Sequence, residues 1–324
     1  MTHAIVLRET GGPEKLLWET VEVGEPGTGQ LRVRHTAIGV NFHDTYVRSG
    51  LYKTMTLPGI PGVEAAGVVE SVGPDVTAFV PGDRICYVDG SYGAYCEVRL
   101  LPAAMALRLP EAISDEAAAS LAVKGLTACM LLRHTRRVLP GETVLIHAAA
   151  GGVGQSLVHW AKHLGARVIA TAGSLEKAAI ARGCGADDVI LYRTESFVER
   201  VAALTHGRGV DVVYDSVGAD TFSGSLECLA YFGMLVNFGQ SSGAVPPFAV
   251  SRLAARSNSV VRPILFHYIR ERSARDSMAG ETFKMVQAGV LRSRIGLRVP
   301  LREVARAHAA LESRATTGAV ILTV

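Results

Sequence analysis

The segment HAAAGGVGQS, residues 147–156, is the most informative part of the sequence, because its glycines follow a strand-like run and precede a helical pattern. The apolar run TVLIHAA begins at residue 143, and GVGQSLVHWAKHLG carries apolar residues at helical spacing. In this position Gly151 allows the backbone to approach a pyrophosphate, and Gly154 allows the helix to pack close to the strand. The helix N-terminus adds N–H groups and a partial positive charge that favour an anion. A tight turn without a ligand is the alternative interpretation, since a lone glycine motif is weak evidence.

The first position of this glycine motif is Ala149, where dinucleotide-binding turns usually carry glycine. That position serves the tight turn, and alanine fits there if its φ is negative. The departure is therefore compatible with a dinucleotide site, provided that the backbone of Ala149 avoids the left-handed region.

The second half of the chain alternates between apolar runs and helical patterns. Five runs begin at residues 143, 167, 188, 210 and 233, which lie 21 to 24 residues apart. The helical patterns between them cover residues 152–165, 174–185, 196–207 and 219–232. This regular alternation predicts an α/β domain with a doubly wound parallel sheet and helices on both faces.

The first part of the chain is punctuated by glycine and proline and indicates a barrel-like or sandwich β domain. Its strand-like runs cover residues 3–8, 16–23, 30–40, 63–73, 83–88 and 93–100. A helical segment follows over 114–134, with Ser114 as a plausible N-cap. Beyond about residue 263 we expect a helix near 276–288, a strand near 295–300, a helix near 302–313 and a final strand over 319–324. These elements either return to the first domain or close the sheet.

Composition excludes several classes of protein. The net charge is +3 over 324 residues and no basic block is present, which argues against nucleic-acid binding. The longest charge-free stretch, residues 228–251, is broken by glycines, prolines and polar residues, so no membrane helix is expected. The five cysteines have no metal-ligand or disulfide spacing, which is typical of free thiols in a cytoplasmic protein. A signal peptide is likewise not expected from the first residues, which lack a basic segment followed by an apolar one.

The end of the second parallel strand indicates which dinucleotide binds. NAD sites carry an acidic residue there to hold the ribose 2′-OH. This strand ends ATAGSLEK, with Ser174 and Lys177 in place of an acid, and Tyr192 ends the third strand. A hydroxyl, an ammonium and a phenol favour the 2′-phosphate of NADPH, although Glu176 argues mildly against an anion and Lys177 is alternatively a solvated helix lysine.

Six motifs together resemble one family over the whole length of the chain. They are NFHDTYVRSGLY (41–52), PGVEAAGVVESVG (61–73), PGDRICY (81–87), HAAAGGVG (147–154), VVYDSVG (212–218) and LESRATTG (311–318). The chain resembles the zeta-crystallin-like quinone oxidoreductases, the zinc-free branch of the medium-chain dehydrogenase/reductase superfamily, and in particular the bacterial NADPH:quinone reductases. Members of that group share the alanine-first glycine motif.

The resemblance implies a GroES-like β domain from residues 1–124 and 264–324, with a Rossmann NADPH-binding domain inserted over 125–263. It also implies a homodimer joined through the Rossmann sheets. The nicotinamide cleft between the domains would be lined by Asn41, Asp44, Tyr46 and Tyr52, where a tyrosine O–H or an amide N–H can hydrogen-bond an acceptor oxygen as it gains charge. Packing of the tyrosines and loop organisation by Asp44 are the structural alternatives.

The remaining site residues are expected to bind the cofactor. Gly239, Ser241 and Ser242 follow the fifth strand, where a doubly wound sheet meets its ligand, although a plain turn is the alternative. The full predicted set is Thr127, Gly151, Gly152, Val153, Gly154, Gly173, Ser174, Lys177, Tyr192, Val217, Gly239, Ser241, Ser242, Arg262, Leu265 and Arg314.

No metal is expected. Zinc dehydrogenases of the superfamily carry cysteine where this chain has Asn41, and histidine where it has Val63. Amide and isopropyl groups are poor zinc ligands. Without a Lewis acid, alcohol oxidation is disfavoured and reduction of an electrophilic acceptor is the sensible chemistry.

The predicted function is NADPH-dependent reduction of a small-molecule quinone. An NADPH-dependent 2-alkenal or enone reductase and a low-turnover, crystallin-like NADPH-binding protein are the alternatives. His43 stands where other members often carry an apolar residue or proline, and we expect it to face solvent rather than to tune the acceptor preference.

Overall fold

The computed structural model describes all 324 residues and divides them into two compact units. The first comprises Met1–Leu126, Ile269–Gln287 and Ser293–Val324, and the second comprises Thr127–Tyr268 and Ala288–Arg292. The domain bounds expected from the sequence, 1–124 with 264–324 and 125–263, stay a prediction beside this division. The α/β fold class itself, a β domain plus a parallel-sheet domain, is confirmed.

The N-terminal part of the chain builds most of the first unit. Its strands are β1 (Thr2–Leu7), β2 (Leu16–Val21), β3 (Gln30–Val40), β4 (Glu64–Val72), β5 (Arg84–Val88), β6 (Val98–Pro102) and β7 (Ala106–Arg108). Its helices are α1 (Phe42–Ser49) and α2 (Asp115–Cys129). Ser114 caps α2 as the sequence predicts, because its Oγ accepts the Ala117 N–H at 3.2 Å.

The second unit alternates between strands and helices. The strands are β8 (Thr143–Ile146), β9 (Arg167–Ala172), β10 (Asp188–Leu191), β11 (Val210–Asp215), β12 (Leu229–Asn237) and β13 (Ser259–Val261). The helices are α3 (Gly152–His163), α4 (Leu175–Gly183), α5 (Phe197–Leu204), α6 (Phe222–Glu227) and α7 (Leu265–Tyr268).

The C-terminal part of the chain supplies the remaining elements, which are α8 (Arg272–Gln287), β14 (Ile295–Pro300), α9 (Val304–Glu312) and β15 (Ala319–Thr323). Strand β15 pairs antiparallel with β3, and β14 pairs with β15. The C-terminal strands therefore return to the β domain, which settles the alternative that the sequence left open.

The sheet of the first unit has the strand order β14-β15-β3-β4-β5-β7, with β6 also paired to β3. Strands β1 and β2 form a separate two-stranded antiparallel sheet. Buried side chains from both sheets, such as Ile5, Leu31 and Ile85, share one core with α9. This packing holds α1, which directly follows β3, in place.

The parallel sheet of the second unit has the order β10-β9-β8-β11-β12-β13. Strand β8 is buried at every position, as expected for a parallel strand covered on both faces. Its neighbours are β9 on one side and β11 on the other, so the strand order reverses beside β8. Ligands of doubly wound sheets bind at the carboxyl ends of the strands at such a point.

Two details of this sheet differ from the prediction. Residues 229–232 belong to β12 rather than to the predicted helix, because Leu229 is fully buried and pairs with Val210 of β11. The short β13 was not predicted, since three residues give too little periodicity to identify a strand. No helix of the protein is long and apolar enough to cross a membrane.

Candidate functional site

The glycine turn connects β8 to α3 in the second unit. Gly151 is the N-cap of α3, with extended backbone, and no side chain caps the helix. Ala149 is not among the residues with positive φ, whereas Ala148 has a φ of 51°. The strained position of the turn therefore lies one residue before the alanine that replaces the usual glycine.

Gly154 is required by close packing in this turn. A Cβ atom on Gly154 would lie 2.3 Å from the Ala148 carbonyl oxygen and 2.8 Å from the Ala149 Cα. On Gly151 it would lie 3.2 Å from the same oxygen. Because no side chain caps α3, the first N–H groups of the helix, which include those of Gly152 and Val153, have no side-chain acceptor at its N-terminus. The turn thus has the donor set that a pyrophosphate needs.

The end of β9 is compact and lacks a carboxylate. A Cβ on Gly173 would lie 2.8 Å from the Tyr192 hydroxyl, so the phenol lies over the end of this strand. Ser174 is the N-cap of α4, and its Oγ accepts the Lys177 N–H at 3.3 Å. The structure therefore brings Gly173, Ser174 and Tyr192 together, with Lys177 in the first turn of the helix.

Two loops at the carboxyl ends of β11 and β12 are fastened to each other. The Val217 carbonyl accepts the Ser242 N–H and its Oγ–H, both at 2.8 Å. The Ser241 N–H donates to the Ser216 carbonyl at 3.2 Å, and Arg262 Nη1 donates to the Gly239 carbonyl at 3.1 Å. These contacts join five predicted cofactor residues, Val217, Gly239, Ser241, Ser242 and Arg262, at one edge of the sheet.

For three further predicted residues, the structure gives burial or backbone conformation but no contact that points to a cofactor. Thr127 in α2 and Leu265 at the start of α7 are buried in the second unit. Arg314 belongs to the first unit, follows α9, and has a φ of 57°. Their contribution to cofactor binding stays a prediction.

The acceptor-side residues lie at the start of α1 in the first unit. Asn41 is the N-cap, and its backbone N–H donates to Asp44 Oδ2 at 2.8 Å, which is half of a capping box. The Asn41 side chain also joins two charged residues. Its Nδ2 donates to Glu64 Oε1 at 2.8 Å, and its Oδ1 accepts from Lys124 Nζ at 3.0 Å.

Lys124 is a site residue that sequence analysis missed. Its ammonium donates to Glu64 Oε1 at 2.8 Å, and the side chains of Lys124 and Glu64 are 6% and 0% exposed. Glu64 Oε2 also accepts the Val123 N–H at 2.6 Å. The one available signal was a single lysine in the apolar helical run SLAVKGLTACMLL, which equally fits a side chain that reaches solvent.

Asp44 is fully buried and has an unusual proton affinity. Desolvation raises the pKa of its carboxyl to about 7, although hydrogen bonds from Asn41 and Tyr95 lower it. The Tyr95 hydroxyl donates to Asp44 Oδ2 at 2.9 Å and lies 3.0 Å from His308 Nε2. When Asp44 is ionised it accepts the only hydroxyl proton of Tyr95, so His308 Nε2 then donates to the Tyr95 oxygen.

Tyr46 in α1 and Tyr52, which follows this helix, form an aromatic pair. Their ring centroids are 5.1 Å apart at an angle of 62°. His43 contacts Tyr52 edge-on and stacks on Tyr92, and its Nε2 lies 3.2 Å from the Tyr92 hydroxyl. The expectation that His43 simply faces solvent is therefore wrong, because two aromatic rings enclose it.

Family models of known proteins match residues in each of the two units. Residues 27–111 match the family model described as an alcohol dehydrogenase GroES-like domain, and residues 152–279 match the one described as a zinc-binding dehydrogenase. A quinone oxidoreductase of Pseudomonas aeruginosa is 45% identical over 323 residues, which is 99% of each chain. The chain belongs to the quinone oxidoreductase family of the medium-chain dehydrogenase/reductase superfamily.

Two other relatives refine the position of the chain in this family. The crystal structure of Escherichia coli quinone oxidoreductase complexed with NADPH superimposes with a TM-score of 0.96 at 44% identity, covering 99% of this chain and 100% of that one. A 2-haloacrylate reductase from a Burkholderia species is 46% identical over 329 residues, with 99% of each chain covered. The predicted family membership is thus confirmed, and the family includes relatives named for two kinds of acceptor.

Proposed function

We propose that this protein is an NADPH-dependent quinone reductase. The observation that carries the proposal is the buried Asn41–Glu64–Lys124 group of the first unit, in a chain 45% identical to a quinone oxidoreductase. The uncapped N-terminus of α3 in the second unit supports it. When bound, NADPH supplies a hydride to the electron-poor acceptor. The protein binds and orients both molecules and polarises the acceptor oxygen.

The cofactor assignment rests on the end of β9. The uncapped N-terminus of α3 would hold the pyrophosphate, while Ser174, Lys177 and Tyr192 would hold the 2′-phosphate. The E. coli relative was solved with NADPH, which agrees with this choice. The absence of a carboxylate at Thr171, Ala172 or Gly173 removes the group that would prefer the 2′-OH of NADH.

Lys124 and Asn41 are the donors that we assign to the acceptor oxygen. An ammonium has three N–H groups, and Lys124 uses two of them on Asn41 and Glu64. The Asn41 amide has two N–H groups and uses one on Glu64. Each residue therefore keeps one N–H for the oxygen that gains negative charge during reduction, in a buried setting where such a hydrogen bond is strong.

We propose that this reduction needs no zinc, although one matching family model is described as zinc-binding. The superfamily's ligand positions hold groups that fit a metal poorly. Val63 offers no donor atom, and the Asn41 oxygen accepts from the Lys124 ammonium. That ammonium already neutralises Glu64, so a divalent cation would meet a positive charge rather than a ligand set.

A second acceptor class is favoured by one comparison. The 46% identical relative is named a 2-haloacrylate reductase, and a haloacrylate is an alkene conjugated to a carboxyl group. The same donors would stabilise the charge that forms when hydride adds to the β-carbon of a conjugated alkene. The alternative function is therefore reduction of a small conjugated alkene.

We further propose that the protein is a cytoplasmic homodimer. None of the five cysteines is in a disulfide, which suits a reducing compartment. The edge strand β13 pairs only with β12, and Tyr231 and Phe232 on β12 are 70% and 78% exposed. An unpaired edge with exposed aromatic residues is suited to a second copy, which light scattering of the purified protein tests directly.

The experiment for the function is oxidation of NADPH with 1,4-benzoquinone, 2-chloroacrylate, crotonaldehyde or no acceptor, with NADH in parallel. Quinone-dependent oxidation that prefers NADPH supports the proposal. Turnover of 2-chloroacrylate or crotonaldehyde without turnover of the quinone supports the alternative function, reduction of a small conjugated alkene. Equal use of NADH contradicts the assignment of a 2′-phosphate site. Tight NADPH binding with no turnover would favour a binding role.

A further inference from the structure

His43 and Tyr92 form a hydrogen-bonded pair, and His43 also contacts the ring of Tyr52. His43 Nε2 lies 3.2 Å from the Tyr92 hydroxyl, and the two rings are stacked with centroids 5.8 Å apart and an interplanar angle of 16°. The Tyr92 hydroxyl also hydrogen-bonds the Thr54 hydroxyl. His43 at the start of α1 is thereby linked to Tyr92, which is 49 residues further along the chain, and through Tyr92 to Thr54.

Tyr92 is held firmly in an uncommon backbone conformation. It is 5% exposed and has a φ of 69°, which non-glycine residues seldom adopt. The preceding loop is secured by Asp89, whose carboxylate accepts from the Ser91 N–H at 2.9 Å and from Arg99 at 3.1 Å. A residue keeps such a conformation only when its surroundings enforce it, so Tyr92 is a fixed anchor for His43.

His43 in turn contacts the predicted substrate-cleft residue Tyr52. The His43 and Tyr52 rings meet edge to face, with centroids 5.6 Å apart at 64°. Tyr46 meets Tyr52 in a similar way, at 5.1 Å and 62°. The Tyr52 N–H also donates to the Tyr46 carbonyl at 2.9 Å. Tyr52 is therefore oriented by a ring contact on His43 and by both ring and backbone contacts on Tyr46.

We propose that His43 and Tyr92 are positioning residues that set the acceptor preference of the enzyme through Tyr52. A ring that is fixed before binding offers a flat wall for a planar acceptor at little entropic cost. Quinones and naphthoquinones use such a wall fully, whereas a small aliphatic alkene has no ring to stack on it. The His43–Tyr92 pair thus favours planar ring acceptors over small conjugated alkenes. This inference rests on the proposed function.

The test compares Tyr92→Phe and His43→Phe, which keep an aromatic ring but remove the hydrogen bond between the two residues. The matched control is His163→Phe, at an exposed position at the end of α3. Steady-state kcat and KM are measured for 1,4-naphthoquinone and for 2-chloroacrylate, together with the NADPH Kd and the Tm of each variant. The double variant is measured in the same way.

We expect each variant to raise the naphthoquinone KM about fivefold, as for loss of one neutral hydrogen bond, while the chloroacrylate KM changes less than twofold. The double variant should match Tyr92→Phe, because that change alone removes both hydrogen bonds of the Tyr92 hydroxyl, to His43 and to Thr54. The NADPH Kd should stay at the wild-type value, as in the control.

Equal KM changes for both acceptors, effects that multiply in the double variant, or unchanged KM values would each overturn the inference. A wild-type protein that reduces no quinone would instead refute the proposed function. Failure of the inference is therefore detected in the variants, whereas failure of the proposed function is detected in the wild-type protein. A lower Tm does not by itself explain a KM change confined to one acceptor, so the split between acceptors decides the outcome even if a variant is less stable.

Discussion

Lys124 Nζ lies 2.8 Å from Glu64 Oε1, and neither side chain is more than 6% exposed. The amide of Asn41 closes the group, since it donates to Glu64 and accepts from Lys124. Only this orientation of the amide places its oxygen on the ammonium and its nitrogen on the carboxylate. A buried ion pair thus fixes the direction of a neutral side chain that we assign to the acceptor.

Replacing Lys124 by methionine should destabilise the protein strongly. The change leaves the Glu64 carboxylate buried without its counter-charge, which typically costs about 3–5 kcal/mol of unfolding free energy. The measurement is urea-induced unfolding at pH 7. Lys162→Met is the matched control, because its ion pair with Asp187 is about one third exposed and should contribute less than about 1 kcal/mol.

The double variant Lys124→Met with Glu64→Gln should recover more than half of the stability lost by Lys124→Met, since it removes the unpaired charge. Both variants should lose quinone turnover, because they lack the ammonium that we assign to the acceptor oxygen. If Lys124→Met proves as stable as the Lys162→Met control, the buried ion pair does not exist in solution.

Asp44 should make stability fall as pH rises. Its pKa is raised to about 7 in the folded protein, mainly by desolvation, from an ordinary value near 3.8. Between these values the folded state binds more protons than the unfolded state, so this group's stabilisation is present below pH 4 and is lost up to about pH 7. The Asp44→Asn variant lacks this titration.

The free energy of unfolding of wild type should therefore fall relative to Asp44→Asn between pH 4 and pH 7, with a limiting slope of about 1.4 kcal/mol per pH unit. Above pH 7 the difference should be constant. Urea unfolding of both proteins across this range measures it, and groups common to the two proteins cancel. A difference independent of pH would show that Asp44 titrates normally.

The sequence predicts regular structure well and side-chain networks poorly, for a physical reason. Strand–helix alternation and the glycine turn report local preferences and burial, so four of the five predicted parallel strands begin where the structure places them. The sequence did not identify Lys124 as a site residue, because its partner Glu64 is 60 residues away and becomes adjacent only after β4 and α2 pack. It did not identify Tyr92 either, because no local sequence pattern predicts a positive φ at a tyrosine.

Gly154 should tolerate no side chain. A Cβ there would lie 2.3 Å from the Ala148 carbonyl oxygen, which is backbone and cannot move aside. We expect Gly154→Ala to lower the free energy of unfolding by about 1–3 kcal/mol and to weaken NADPH binding by shifting the start of α3. Thermal unfolding and NADPH titration measure the two effects. Gly183→Ala in α4 is the control, because its Cβ meets nothing within 4 Å.

Gly183→Ala should leave NADPH binding unchanged and stabilise the protein by up to about 1 kcal/mol, since alanine has less conformational freedom to lose on folding. If the two alanine variants behaved alike, the close approach of α3 to the turn would be refuted.

Ser174→Asp should exchange the cofactor preference. Ser174 caps α4 by accepting the Lys177 N–H, and aspartate caps helices equally well, so the helix should be retained. The new carboxylate repels a 2′-phosphate and can hold a 2′-OH. We therefore expect the NADPH Kd to rise at least about tenfold, or ~1.4 kcal/mol, while the NADH Kd falls.

Ser174→Asn separates charge from capping, since asparagine caps the helix without a carboxylate. It should change both Kd values less than Ser174→Asp does. An aspartate variant that still binds NADPH as tightly as wild type would place the 2′-phosphate away from the end of β9.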